Sequence, residues 1–257
     1  MNPDFGDMTD YVLSLNGVFP TLKGVIQNRR NDIRTDIILG NRFVIKSFKG
    51  MYLPNRIAYS LFRKSKAQRS FEMSLLLGSI YFKVPEPVGY IDYYRFGILQ
   101  ESYFISVYQP HDDLQSCMAL DSPSQRMSNV LASFAFQLHQ AGVYHDDFST
   151  GNILVVRDSD RFPFALVDLN RVRFRQPDYR AGLISLSRLG IAQNHFENLL
   201  VTYSKLWGQS FQDANNFIQT IRRKRSRSRA IRRILKLLLV DPGWMFRRSG
   251  YDNSGSD

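Results

Sequence analysis

A chain of 257 residues, 44% of them hydrophobic, is long enough to bury a sizeable core in one domain or in two small lobes. It holds no uninterrupted apolar run of the roughly 18 residues that a membrane-crossing helix takes. Its acidic start MNPDFGDMTDYV lacks a basic and apolar leader, and its one cysteine, Cys117, excludes an internal disulfide and a thiolate metal cluster; a reducing cytoplasm fits. The net charge of +11 is uneven: nine Lys or Arg and no acid fall between Ala214 and Val240, which points to an anionic partner for that segment and leaves the remainder near neutral.

In chain order, residues 18–48 read as strands. VFPTLKGVI is followed by a polar turn QNRRND, then IRTDIIL, a turn at Gly40-Asn41, and RFVIKSF, all β-branched or aromatic runs bounded by turn residues. Residues 56–78 read as a helix with Phe71 and Leu75 on one side, stopped by Pro85 and Pro87. Strands follow near 88–94 and 101–108, with Gly97 between them, and Pro110 ends the pattern. Met127, Leu131, Phe134 and Leu138 recur at spacings of four, three and four, so Ser124 to Ala141 reads as an amphipathic helix. Ser122 or Ser124 is its candidate cap, and Gly142 lies just past its end. Residues 179–207 and 211–239 also look helical. The order predicts an α+β chain: a β-rich N-lobe with one helix over 1–107, a mainly helical C-lobe over 108–220, and a basic segment over 221–257. The hinge falls near Val107 to Pro110, which makes Tyr108 and Gln109 candidate nucleotide contacts.

The chemistry is concentrated between the helix ending at Ala141 and the one starting near 179. His145-Asp146-Asp147-Phe148-Ser149-Thr150-Gly151-Asn152 is followed by the apolar run Ile153 to Val156, a gap, a second run Phe164 to Val167, and Asp168. HxDxxxxN alone arises by chance, since Asp and Asn are ordinary turn residues. The strand, turn, strand and terminal Asp make it a phosphotransfer pattern. Such transfer needs an acceptor for the hydroxyl proton, cations over the phosphates and oxygen ligands for Mg²⁺. Asp147 is the candidate base, Asn152 and Asp168 are the candidate metal ligands, and His145 is expected to support the loop backbone. Upstream, Phe43-Val44-Ile45-Lys46 matches a strand carrying a phosphate-binding lysine. Glu72, in the following helix, is the candidate ion-pair partner of Lys46. No GxGxxG precedes Lys46; the turn from Gln27 to Asp32 takes its place, with Arg29 or Arg30 as possible sources of charge.

These residues resemble the lipopolysaccharide kinase (Kdo kinase) family, a branch of the protein-kinase-like fold. The resemblance is carried by Asp147-Phe148 with Asn152-Ile153-Leu154, and by Asp168-Leu169-Asn170-Arg171 where protein kinases show Asp-Phe-Gly. It implies a bilobal protein-kinase-like fold, ATP and Mg²⁺ as cofactors, and phosphorylation of a sugar hydroxyl on the lipopolysaccharide core or its Kdo residue, at the cytoplasmic face of the inner membrane. Carried over, Asp147 is the catalytic Asp, Lys46 the ATP-binding Lys, and Asn152 and Asp168 the metal ligands. Three departures stand out. Leu169-Asn170 replaces the usual pair after the Asp, Ser149 stands where protein kinases place a Lys, and no Ala-Pro-Glu segment follows Asp168. The last two argue against a protein substrate. A soluble small-molecule phosphotransferase of the aminoglycoside or choline type shares the H-x-D-F-x-x-G-N loop and stays open, as does a non-catalytic pseudokinase.

Residues 221–239, IRRKRSRSRAIRRILKLLL, make no single clean apolar stripe as a helix, and the turns from Ile234 to Val240 are apolar nearly all round. One reading is a segment on an anionic membrane surface, with Trp244 and Phe246 beside Arg247 and Arg248 as an interfacial end. In the other, the leucines pack on the C-lobe and the arginines face water. A nucleic-acid partner is disfavoured.

Overall fold

The five-stranded antiparallel sheet of the N-terminal half fixes where everything else can go. In this computed structural model, which describes residues 1–28, 32–48, 63–120, 125–156 and 163–240, its order is β1-β2-β3-β5-β4. The strands are β1 (Gly24–Asn28), β2 (Asp32–Ile38), β3 (Asn41–Ser47), β4 (Pro87–Arg95) and β5 (Ile98–Val107). Two hairpin turns carry consecutive left-handed residues, Leu39-Gly40 between β2 and β3 and Phe96-Gly97 between β4 and β5. Paired positive φ values match the twist of the flanking strands, so the expected glycine at each tip has a backbone reason.

The side-chain period of two then sorts β3 and β5 into faces. Phe43, Ile45, Tyr103 and Ile105 point into one core with Met8, Val12, Leu15 and Phe19. Val44, Lys46, Phe104 and Ser106 point the other way, into a cleft. The N-terminal partners of that core correct the sequence reading. Strand structure does not begin at residue 18; short helices α1 (Thr9–Leu13) and α2 (Leu15–Val18) and a 3-10 turn Phe19–Thr21 precede β1. Met8, Val12, Leu15 and Phe19 stand four, three and four apart, a helical stripe that the β-branched Val18 and the adjacent Pro20 obscured.

Helix α3 (Lys66–Ser79) crosses the other side of the sheet. The Ser65 hydroxyl accepts from the Gln68 N–H at 2.9 Å and caps its start. The expected beginning at 56 lies partly outside the described residues, and 63–65 are not helical. Its buried stripe is Ala67, Ser70, Phe71, Ser74 and Leu77. Leu75, expected beside Phe71, is 44% exposed, because it lies at the edge of that stripe.

The second half packs around a larger core of α4 (Leu114–Leu120), α5 (Gln125–Gln140), α6 (Tyr179–Leu186) and α7 (Gln193–Leu206). Leu131, Phe134 and Leu138 are fully buried there and Met127 packs at the margin. Gly142, in the left-handed region at φ 73°, ends α5; the candidate caps Ser122 and Ser124 lie outside the described residues. The helix expected over 179–207 is two, α6 and α7, with residues 187–192 between them. Gly190 sits in that break, where a helix interior would be weakened. Helix α8 (Phe211–Val240) is continuous. Arg222 lies over the Phe196 ring at 4.0 Å, and the Arg225 guanidinium donates to the Ser187 hydroxyl at 2.7 Å, so its first half is tied to α6 and α7. Among the described residues no helix is long and apolar enough to cross a membrane.

Candidate active site

Short strands in the second half present loops rather than surfaces. β7 (Val143–His145) pairs with β10 (Val172–Phe174), and β8 (Ile153–Val155) pairs with β9 (Phe164–Leu166) and β6 (Asp112–Asp113). Residues 146–152 therefore span β7 to β8, and 167–171 span β9 to β10. Both loops are anchored at each end and face each other, Val167 N–H to Asn152 carbonyl at 3.1 Å and Asp146 N–H to Arg171 carbonyl at 2.9 Å.

His145 is nearly fully buried and holds this arrangement. Its Nδ1 accepts from the Asp147 N–H at 3.0 Å, so the proton lies on Nε2, which donates to the Val167 carbonyl at 3.1 Å. Burial keeps its pKa below the usual histidine value, consistent with the neutral form these two bonds require. The supporting role expected for it rests on this geometry. Asn152 donates its amide N–H to the Asp147 carbonyl at 2.8 Å and to the Ser149 hydroxyl at 3.2 Å, which leaves its amide oxygen as the group suited to a hard cation.

Asp168 sits in the left-handed region at φ 57°, ψ 42°, a conformation that costs energy outside glycine and is typical of functional loops. Its carboxylate is paired on both oxygens. Oδ1 accepts from Lys46 Nζ and from the Asn170 amide at 2.7 Å, and Oδ2 from Arg171 Nε at 2.9 Å. Burial works to raise its pKa, but Lys46 and then Arg171 overcome it and hold the carboxyl below the ordinary range. Arg171 also reaches Asp147, Nη1 to Oδ2 at 3.1 Å. Lys46, Asp168, Arg171 and Asp147 thus form one row of alternating charge, whose first two members are only 12% exposed.

Lys46 and Asp168, with Asn152, line a cleft of about 330 Å³. Ile26, Val44, Phe104 and Leu154 are among its apolar walls, and Tyr108 and Gln109 line the hinge. The Tyr108 N–H is spent on the Arg42 carbonyl at 2.9 Å, while Arg42 stacks over its ring at 5.1 Å. Sequence spacing brought Lys46, Asn152, Asp168, Tyr108 and Gln109 to this cleft's lining, with Asp147 joined to it through Arg171. It did not bring Glu72. That carboxylate accepts from Lys64 at 2.8 Å and from Gln68 at 3.1 Å, while Lys46 pairs with Asp168. Ser70 and Ser74 are the residues of α3 that line the cleft; Glu72, two positions from each, points about 200° away. The expected Lys46–Glu72 pair is therefore corrected. Arg29 and Arg30 lie outside the described residues. Arg171 closes the run Asp168-Leu169-Asn170-Arg171, and the sequence signal for its role is its place three residues after Asp168, within one helical turn.

Among the described residues no three His, Cys, Asp or Glu side chains group to hold a metal by themselves. A Mg²⁺ would fit here only in a shared shell, with Asp168 and Asn152 as its candidate protein ligands and other oxygens completing it.

A sequence model described as the lipopolysaccharide kinase (Kdo/WaaP) family matches residues 54–220. No curated protein matches the chain by sequence. Among solved structures, one described as WaaP in complex with acyl carrier protein superposes with a TM-score of 0.56 at 16% identity, over 82% of this chain and 90% of that one. A MAP kinase of Leishmania major gives 0.43 at 16% identity, over 82% and 65%. The first likeness identifies the fold as the kinase-like α+β architecture.

Proposed function

This chain belongs to the lipopolysaccharide kinase (Kdo/WaaP) family, and we propose that it transfers the γ-phosphate of ATP to a sugar hydroxyl of a glycolipid, the lipopolysaccharide core or its Kdo residue. The observation that carries the reading is that Lys46, Asp168 and Asn152 line one apolar-walled cleft, with Asp147 linked to Asp168 through Arg171.

The adenine lies between Ile26 and Val44 on one side and Leu154 on the other, against Tyr108 and Gln109 at the hinge. Lys46, held by Asp168 at the inner end of the cleft, meets the phosphates. Asp168 and Asn152 would hold a Mg²⁺, which would supply neutralisation of phosphate charge. Asp147 takes the proton of the acceptor hydroxyl as its oxygen bonds to the γ-phosphorus and the bond to the β-γ bridging oxygen breaks, leaving ADP. His145 and Asn152 keep the Asp147 backbone fixed through this step. The acceptor sits at the mouth, where Asp147 is 33% exposed.

The exposed cations of α8 suit the anionic surface on which a lipid-linked acceptor resides, which supports a peripheral position on the cytoplasmic face of the inner membrane.

The test is ATP turnover with Mg²⁺ against a lipid A–Kdo glycolipid and a panel of free sugars and aminoglycosides, with Asp147→Ala as control. Transfer to the glycolipid that vanishes in the variant supports the reading. Transfer to a soluble sugar alone moves the substrate, and ATP binding without transfer to anything refutes the catalytic role.

A further inference from the structure

We propose that Arg171 is a positioning residue of the transfer step: it clamps the base Asp147 to the metal ligand Asp168 and supplies the fixed positive charge that the catalytic loop itself lacks. This rests on the phosphotransfer reading above and deepens it.

The argument begins with what the loop contains. Residues 145–152 carry two carboxylates and no Lys or Arg. Position 149 holds a short hydroxyl already engaged with the Asn152 amide. Yet phosphoryl transfer spreads negative charge over the moving group while a carboxylate stands beside it, and a fixed cation there lowers the barrier. The structure brings one from the opposite loop. Asp168, in its left-handed conformation, opens the single 3-10 turn Leu169–Arg171. That turn folds residue 171 back over residue 168, so one guanidinium contacts Asp168 Oδ2 through Nε at 2.9 Å and Asp147 Oδ2 through Nη1 at 3.1 Å. A planar fork bridges two carboxylates in this way; a lysine ammonium, a single point charge, does it poorly.

The two cations divide the labour. Lys46 takes Asp168 from the buried side, where both side chains are 12% exposed, and Arg171 takes it from the mouth, its own side chain being 44% exposed. The mouth is where acceptor and phosphoryl group meet. Holding Asp147 by Oδ2 leaves Oδ1 to receive the hydroxyl. Because Arg171 also covers an oxygen of Asp168 that a metal would use, guanidinium and divalent cation compete for it in the nucleotide-free protein.

Two readouts decide the matter, one independent of activity. In Arg171→Met, kcat for the glycolipid should fall at least roughly 30-fold with the KM for ATP within about threefold of wild type. Arg171→Lys should be intermediate, and adding Ser149→Lys to Arg171→Met should recover part of the lost kcat. Mn²⁺ titrated calorimetrically into nucleotide-free protein should bind Arg171→Met about fivefold or more tightly than wild type, since two carboxylates lose their shared counter-charge. Circular dichroism checks that each variant is folded, and if Arg171→Met is not, Arg171→Gln replaces it in both arms. Turnover within threefold of wild type, or unchanged Mn²⁺ affinity, overturns the proposal. A wild type that phosphorylates no acceptor refutes the phosphotransfer reading instead, and the Mn²⁺ arm then still decides whether Arg171 clamps the two carboxylates.

Discussion

Replacing Gly182 by alanine tests the packing beneath the catalytic loop. Gly182 lies on α6, and a Cβ there would stand 2.0 Å from the Tyr203 hydroxyl and 3.1 Å from both Tyr203 Cζ and His139 Nδ1. The tyrosine has nowhere to go. It is fully buried, stacks on Tyr179 at 6.1 Å, and its hydroxyl is bonded to His139 at 2.7 Å. Overpacking of this kind costs about 1–3 kcal/mol, and breaking the buried hydrogen bond adds roughly 1–3 kcal/mol. Alanine's better helix propensity returns about 1 kcal/mol. The net loss is about 3 kcal/mol, which for a chain of this size lowers Tm by roughly 6–12 °C. Differential scanning calorimetry reads it directly. In a Tyr203→Phe background, which removes the obstructing oxygen, the same substitution should cost less. A Tm within about 2 °C of wild type for Gly182→Ala would refute the reasoning. Activity should fall as well, because Ser185, three residues along α6, donates to the His145 carbonyl at 3.4 Å.

Burial lowers the pKa of His139 to about 4 and also holds that of His145 down, so both fold as neutral rings. Their stabilisation is complete above about pH 6.5 and is lost as pH falls through the folded values; for His139 it amounts to roughly 3 kcal/mol. Urea midpoints measured from pH 7 to 4 should drop, and drop less in His139→Gln. Lys46→Met should reduce turnover at least roughly 100-fold, whereas Glu72→Ala, which among the described residues loses a salt bridge to Lys64 and a hydrogen bond from Gln68, should change the KM for ATP by less than about twofold; a tenfold rise would contradict the geometry. Truncation after Ser228 keeps the Arg222 and Arg225 contacts, so Tm should hold while co-sedimentation with anionic vesicles falls; retained sedimentation would remove the segment beyond Ser228 from any membrane role.

The sequence was most readable where chemistry and period coincide. Lys46 faces the cleft because it alternates with Phe43 and Ile45 along a strand, and the pattern of apolar residues there shows it. The five-residue separation of Asp147 and Asn152 reads equally directly, because a loop between two anchored strands has little freedom. Glu72 does not face Lys46, because contact depends on azimuth as well as on position along the helix, and the azimuth here is set by a serine-bearing face that no hydrophobic pattern marks. Arg171 was hard to assign a task because its reach depends on the left-handed turn at Asp168, a conformation the residue type alone does not announce. The N-terminal helices were readable in principle, and a local β-propensity near Val18 outweighed the longer period.

Helix α8 is 30 residues long, and at 1.5 Å per residue it spans about 45 Å. The Arg225 contacts described above fall near its middle, and about 20 Å of helix follow them. A flexible tether would only raise the local concentration of an enzyme near its substrate. A rigid strut also sets the angle and height at which the mouth of the cleft is held above whatever the far end meets. Changing the length of that strut by a residue would rotate the end by 100° while barely altering its reach, so insertions of one and of seven residues, nearly two whole turns, separate orientation from distance.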